Sequence, residues 1–166
     1  MSCTTNVFCS LFNSVSGQCP LHGVVKINYD VAIFADKNKS AIGMVIWDKL
    51  GSVLGSLSKQ LPQAYTPLEI EAMAAVTTLQ FSSDLGFTYA VLESDSQVLV
   101  NALYNDIFFL SLNGLLIEDI RFNARFFNQL HYSHVKREGN MVAHNLTWHA
   151  LCISKFIVLG HMWFTC

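Results

Sequence analysis

The stretch from Tyr89 to Tyr104, YAVLESDSQVLVNALY, changes character twice. Ala90, Val91 and Leu92 form the short apolar run of a buried strand. The chain then turns acidic at Glu93 and Asp95. After Ser96, Val98, Leu99, Ala102 and Leu103 recur at helical spacing. A carboxylate where a buried strand gives way to a helix lies at the strand's carboxyl edge, where open α/β sheets keep their sites. Asp is also a favoured N-cap. Asp95 therefore has a plain reading, as a helix cap, beside the functional one.

The rest of the chain fits an α/β fold around that stretch. Val25, Ile27, Tyr29 and Val31 fall on one face of a first strand, with Lys26, Asn28 and Asp30 on the other. A second strand is predicted over about 41–47 and a third over 52–61, joined through the turn Asp48-Lys49-Leu50-Gly51. Thr66-Pro67-Leu68-Glu69 is a capping box, with Pro at the first helical position and Glu at the third. The helix it opens runs to a glycine terminus at Leu85-Gly86. A strand over 88–93, a helix from near Ser96 and an amphipathic helix over about 114–127 follow. A last strand over 129–136, the loop Arg137-Glu138-Gly139 and a closing helix over 140–151 complete the order. One domain is expected over residues 23–151, after a flexible leader or truncated upstream segment (1–22) and before an unassigned apolar tail (152–166).

Composition narrows the class. With 166 residues, 52% apolar and 13% charged, the chain can bury a good core as one domain. No apolar run reaches the roughly 18 residues of a transmembrane helix, and the first twenty residues lack the basic start of a secretory signal. The expected location is intracellular, nucleus or cytoplasm, with no membrane association. Five cysteines, an odd number placed toward the two ends, suit reduced thiols. Cys3, Cys9, Cys19 and His22 match no closed zinc-site spacing. The formal net charge of −2 is a poor electrostatic footprint for a strong nucleic-acid binder.

Three acids stand out by position: Asp30 on the first strand, Glu71 in the first helix and Asp95 after the fourth strand. Glu69 has a place in the capping box. Glu71, two residues on, points elsewhere, and the small neighbours Ala72, Ala74 and Ala75 would let its face lie close to a sheet. A carboxylate buried there needs a partner. Three carboxylates brought to one pocket would call for a hard cation such as Mg²⁺ or Mn²⁺. Spacing along the chain does not establish that they meet; ordinary strand-end and helix-surface acids would look the same.

INYD in the first strand, IEAMAAVTTL in the helix, VLESDSQVLVNAL in the middle and VKREGNMVAHNL near the end together resemble ribonuclease H type 1. More closely, they are similar to the plant and non-LTR-retroelement domains of that kind. The likeness spans about residues 24–151. It implies a ribonuclease-H-like α/β fold: a five-stranded mixed sheet, three antiparallel strands then parallel ones, flanked by helices. It implies an endonuclease that cuts the RNA strand of RNA–DNA hybrids with two Mg²⁺ (or Mn²⁺) ions, as a monomer. By position Asp30, Glu71, Asp95 and His144 are the catalytic and metal-binding residues it implies, with Asn140, Lys136 and Arg137 on the nucleic acid. Two residues depart from the family: Val31 stands where Gly follows the first Asp, and His144 where the fourth acid stands. Imidazole brings no negative charge and favours softer ions, so Mn²⁺ is expected to serve better than Mg²⁺.

The remaining candidates have structural readings. His131 and His134 face opposite sides of a strand and read as rim residues. Arg121 and Arg125 are four apart on a helix and could face a DNA strand, and Trp47, Trp148 and Trp163 belong to the core or its margins. Two other functions stand beside the nuclease. One is a catalytically weakened module that grips hybrid or duplex without cutting. The other is a structural relic of a retroelement.

Overall fold

Alternating apolar and polar residues build three strands, β1 (Val25–Phe34), β2 (Lys39–Trp47) and β3 (Val53–Leu61), which pair antiparallel in chain order. The Asp48 carboxylate accepts the backbone N–H groups of Leu50 and Ser52 at 2.8 Å each. Gly51 adopts φ 80°, a conformation glycine takes without steric cost. The computed structural model describes residues 23–105, 112–152 and 155–159. The leader, the zinc-like spacing of Cys3, Cys9, Cys19 and His22, and Trp163 lie outside them.

The capping box opens α1 (Pro67–Asp84) as expected. The Thr66 N–H and hydroxyl both donate to Glu69 Oε2, at 2.9 and 2.7 Å. β4 (Tyr89–Ser94), α2 (Gln97–Tyr104), α3 (Leu112–Ala124) and β5 (Gln129–His134) follow. A 3₁₀ turn over Arg137–Asn140 then leads into α4 (Met141–His149). β4 runs parallel to β1 and to β5, so the expected mixed five-strand sheet is present in the order β3-β2-β1-β4-β5. A sixth strand, β6 (Lys155–Leu159), pairs antiparallel with β3. It comes from the tail that periodicity left unassigned, because a short apolar run reads equally as strand or helix.

The two faces of the sheet are covered differently. Ile27 and Tyr29 of β1 and Ile42, Met44 and Ile46 of β2 enter a large core. They meet Ile70 and Leu79 of α1, Leu99 of α2 and Ile120 of α3 there. Ala41 and Gly43, of the opposite parity on β2, belong to the face covered by α4. Ser58 of β3 donates to the Leu146 carbonyl at 2.7 Å and Gln60 to that of Ala150 at 3.0 Å. These bonds tie β3 to the carbonyls at the C-terminal end of α4.

Gly43 sets how close α4 can lie. A Cβ there would stand 2.2 Å from the Ala143 carbonyl oxygen and 2.8 Å from the Thr147 nitrogen, both backbone atoms. Overpacking a core typically costs about 1–3 kcal/mol, and backbone cannot swing aside. Gly43→Ala is therefore expected to lie at or above the top of that range in urea unfolding. A loss near zero would show that α4 is free to retreat. Because Gly43 pairs with Asp30, that helix is held beside the first acid.

Among the described residues no helix is long and apolar enough to cross a membrane. Cys152 is a free, exposed thiol. Trp47 is half-buried, its Nε1–H donating to Asn28 Oδ1 at 3.1 Å. Trp148, expected in the core or its margins, is at the margin and 54% exposed.

Candidate metal centre

Three elements deliver the acids to one place. Asp30 projects from the middle of β1, Glu71 from the second turn of α1, and Asp95 from the residue after β4. One carboxylate oxygen from each lies within 4.8 Å of the other two. Asp95 is not the helix cap; Ser96 holds that position, leaving the Asp95 carboxylate to join the cluster. Glu69 is kept away by its bonds to Thr66.

The charges are unbalanced. Burial pushes the Glu71 carboxyl up to about 8, helped by Asp95 and Asp30, while the Ser94 hydroxyl pulls the other way. Asp95 is also raised, first by burial and then by Asp30, with Arg137 and His134 opposing. Glu71 Oε2 is buried without a hydrogen-bond partner. Unpartnered buried carboxylate oxygens are costly, and a cation among the three would satisfy this one. All-oxygen donors of this kind suit a hard divalent ion. The residues present therefore fit Mg²⁺ or Mn²⁺.

His144 reaches the site by another route. It sits on α4, and its Nδ1 lies 2.7 Å from Asp30 Oδ2. The trio of converging carboxylates does not include it, so the structure sets it beside Asp30 and outside the group where a fourth ligand was expected. Val31, the other departure from the family pattern, is accommodated without a bulge. The β1–β2 register runs through Val31↔Ile42 unbroken, and the side chain packs against the large core.

The residues expected on nucleic acid divide. Lys136 and Arg137 are exposed at the rim, and Arg137 is near enough to lower Asp95. Asn140 is 1% exposed, and its Nδ2 donates to the Tyr29 carbonyl at 2.7 Å. That bond ties the start of α4 to β1 one residue before Asp30. Arg121 is half-buried and Arg125 exposed; His131 is half-buried and His134 exposed. Sequence reasoning missed the part played by Trp148, whose Nε1–H donates to His144 Nε2 at 3.2 Å. Its signal was the four-residue spacing from His144, which puts both on one helix face.

Residues 28–150 match the family model described as reverse transcriptase-like. No curated protein matches the chain. Solved structures similar to it include ribonuclease H1 of the archaeon Halobacterium salinarum, at 23% identity and TM-score 0.72, covering 78% of this chain and 98% of that one. The N-terminal ribonuclease H domain of a Mycobacterium tuberculosis protein aligns at 22% identity and TM-score 0.70, over 79% and 95%. LC11 ribonuclease H1, solved in complex with an RNA/DNA hybrid, aligns at 20% identity and TM-score 0.64, over 75% and 94%. At these identities the likeness is one of fold.

Proposed function

The chain belongs to the reverse transcriptase-like family, and from that premise and the acidic site we propose that it is a metal-dependent endonuclease acting on the RNA strand of RNA–DNA hybrids. The observation that carries the reading is the convergence of Asp30, Glu71 and Asp95, with Glu71 Oε2 left unpartnered inside it. The hybrid bound by the LC11 structure supports the substrate class. Asp30, Glu71 and Asp95 would hold divalent cations, Mg²⁺ or Mn²⁺, two in the full site. Such ions activate water and stabilise the leaving oxygen in phosphodiester hydrolysis.

The chain's own residues do the rest. The carboxylates set where positive charge sits, and their burial keeps bulk water from screening it. Arg137 and Lys136, exposed beside Asp95, face a phosphate backbone at the rim, where such contacts fix register and carry no sequence information. Asn140 holds the β1 backbone so that Asp30 keeps its place. His144 holds the Asp30 carboxylate. The protein would act as a monomer inside the cell, in nucleus or cytoplasm.

The test is cleavage of an end-labelled RNA–DNA hybrid, in Mg²⁺ and separately in Mn²⁺. Cutting of the RNA strand alone, leaving 3′-hydroxyl and 5′-phosphate ends, is expected, and faster in Mn²⁺. A folded protein that retains hybrid on a filter and cuts nothing would make it a binding module instead. One that neither cuts nor binds would be a structural domain.

A further inference from the structure

β1 and α4 meet through two matched pairs. Asp30 and Phe34 are four apart on β1, and His144 and Trp148 are four apart on α4. Asp30 bonds His144, and the rings of Phe34 and Trp148 meet edge to face at 5.2 Å and 76°. Phe34 is 7% exposed and anchors the indole, although the rest of that ring faces solvent. From there the Trp148 N–H reaches His144 Nε2. The His144 backbone is fixed as well, its carbonyl accepting the Thr147 hydroxyl at 2.7 Å.

An indole N–H can only donate. The nitrogen it faces must accept, so Nε2 carries the lone pair and Nδ1 the proton. The 2.7 Å contact is then an Nδ1–H donated to Asp30 Oδ2. The Arg137 guanidinium, 3.5 Å from the same Nδ1, is a donor facing a donor and makes no bond there. Neither ring nitrogen keeps a free lone pair for a cation.

We propose that Trp148 is a positioning residue that, together with Asp30 at the other ring nitrogen, locks His144 in its Nδ1–H tautomer, so that the imidazole serves the site through Asp30 and not as a metal ligand. This rests on the proposed metal-dependent site for its consequence, though not for its geometry. A His–carboxylate–metal chain of this kind orients the ligating carboxylate, and losing the outer partner typically costs about 10–100-fold in metal affinity. The site then holds three negative ligands and one fixed hydrogen-bond donor in place of four negative ligands.

The experiment is long-range ¹H–¹⁵N NMR of histidine-labelled, metal-free protein at pH 8, with His144 assigned by the resonance lost in His144→Asn. The wild type is expected to show Nδ1–H alone, and so is Asp30→Asn, whose amide could face Nδ1 as donor or acceptor and so leaves the choice to Trp148; adding Trp148→Phe to Asp30→Asn, which keeps the ring against Phe34, should give a mixture with Nε2–H. Calorimetric titration with Mn²⁺ should show Trp148→Phe binding on the order of 10-fold more weakly, with the melting temperature little changed. An Nε2–H or mixed wild type would overturn the proposal, as would a tautomer indifferent to Trp148→Phe in the Asp30→Asn background or a Mn²⁺ affinity indifferent to Trp148→Phe alone. The tautomer is read without metal or hybrid. A failure to cut hybrid would therefore sink the nuclease and leave the lock standing.

Discussion

Asp30→Asn is expected to abolish hybrid cleavage while leaving the protein folded. The substitution keeps the side chain's shape, and the new amide oxygen can still accept the His144 N–H now given to Asp30. What it removes is charge at the point where three acids converge. Removing one preorganised charge-stabilising group commonly costs about 10²–10³ in kcat, and a ligand to a catalytic ion should lie at or beyond the upper end. Asp30 also raises both Glu71 and Asp95, so its neutralisation relieves repulsion. Without metal the variant should melt at or above the wild-type temperature, and the stabilisation that Mn²⁺ gives the wild type should shrink. Asp48→Asn, confined to the β2–β3 turn, is the control and should cut normally. Asp30→Asn with near-wild-type activity would remove Asp30 from the reacting centre; loss of activity together with loss of fold would point to a structural role.

Much of this arrangement can be read from the residues because it is local. The capping box, the parity of β1 and β2, and the strand-to-helix change at Asp95 each depend on neighbours within one or two turns. The separate fates of Glu69 and Glu71 follow from the same short range, since residues two apart on a helix cannot share a face. Convergence is not local. Nothing in the spacing of Asp30, Glu71 and Asp95 states that a parallel β1–β4 pair and a helix packed on them bring the oxygens together; the family resemblance supplied that expectation. Asn140 shows another limit: the resemblance places it on nucleic acid, and no local pattern tells that its amide nitrogen donates inward to the Tyr29 carbonyl. Gly43, an unremarked strand residue in the sequence, fixes the height of α4 through backbone contacts that only the fold defines. β6 escaped notice because its pairing depends on the open edge of β3.

The largest effect on stability should come from Glu71, and its direction follows from the sign of the shift. Burial, with Asp95 and Asp30 beside it, pushes its carboxyl up to about 8 from an ordinary 4.5. Between those values the folded state holds a proton that the unfolded chain has released, so stability falls as pH rises across that window. Below 4.5 both states are protonated and the full contribution is present. Above about 8 the folded state must carry a buried charge next to Asp95 and Asp30. At about 1.4 kcal/mol per pKa unit, the span corresponds to a few kcal/mol, enough to move the melting temperature by several degrees in a chain of this size. Wild type in chelator is expected to lose stability between pH 5 and pH 8.5 by that amount more than Glu71→Gln, whose amide cannot ionise. Taking the difference between the two proteins cancels the histidines that titrate in both. Mn²⁺ should restore the wild type at pH 8.5, because a cation among the carboxylates favours the ionised form, and should restore Glu71→Gln less. Parallel stability curves for the two proteins would mean that Glu71 finds enough water or hydrogen bonding to stay ionised at neutral pH, and the electrostatic demand for a cation would then fall on Asp30 and Asp95 alone.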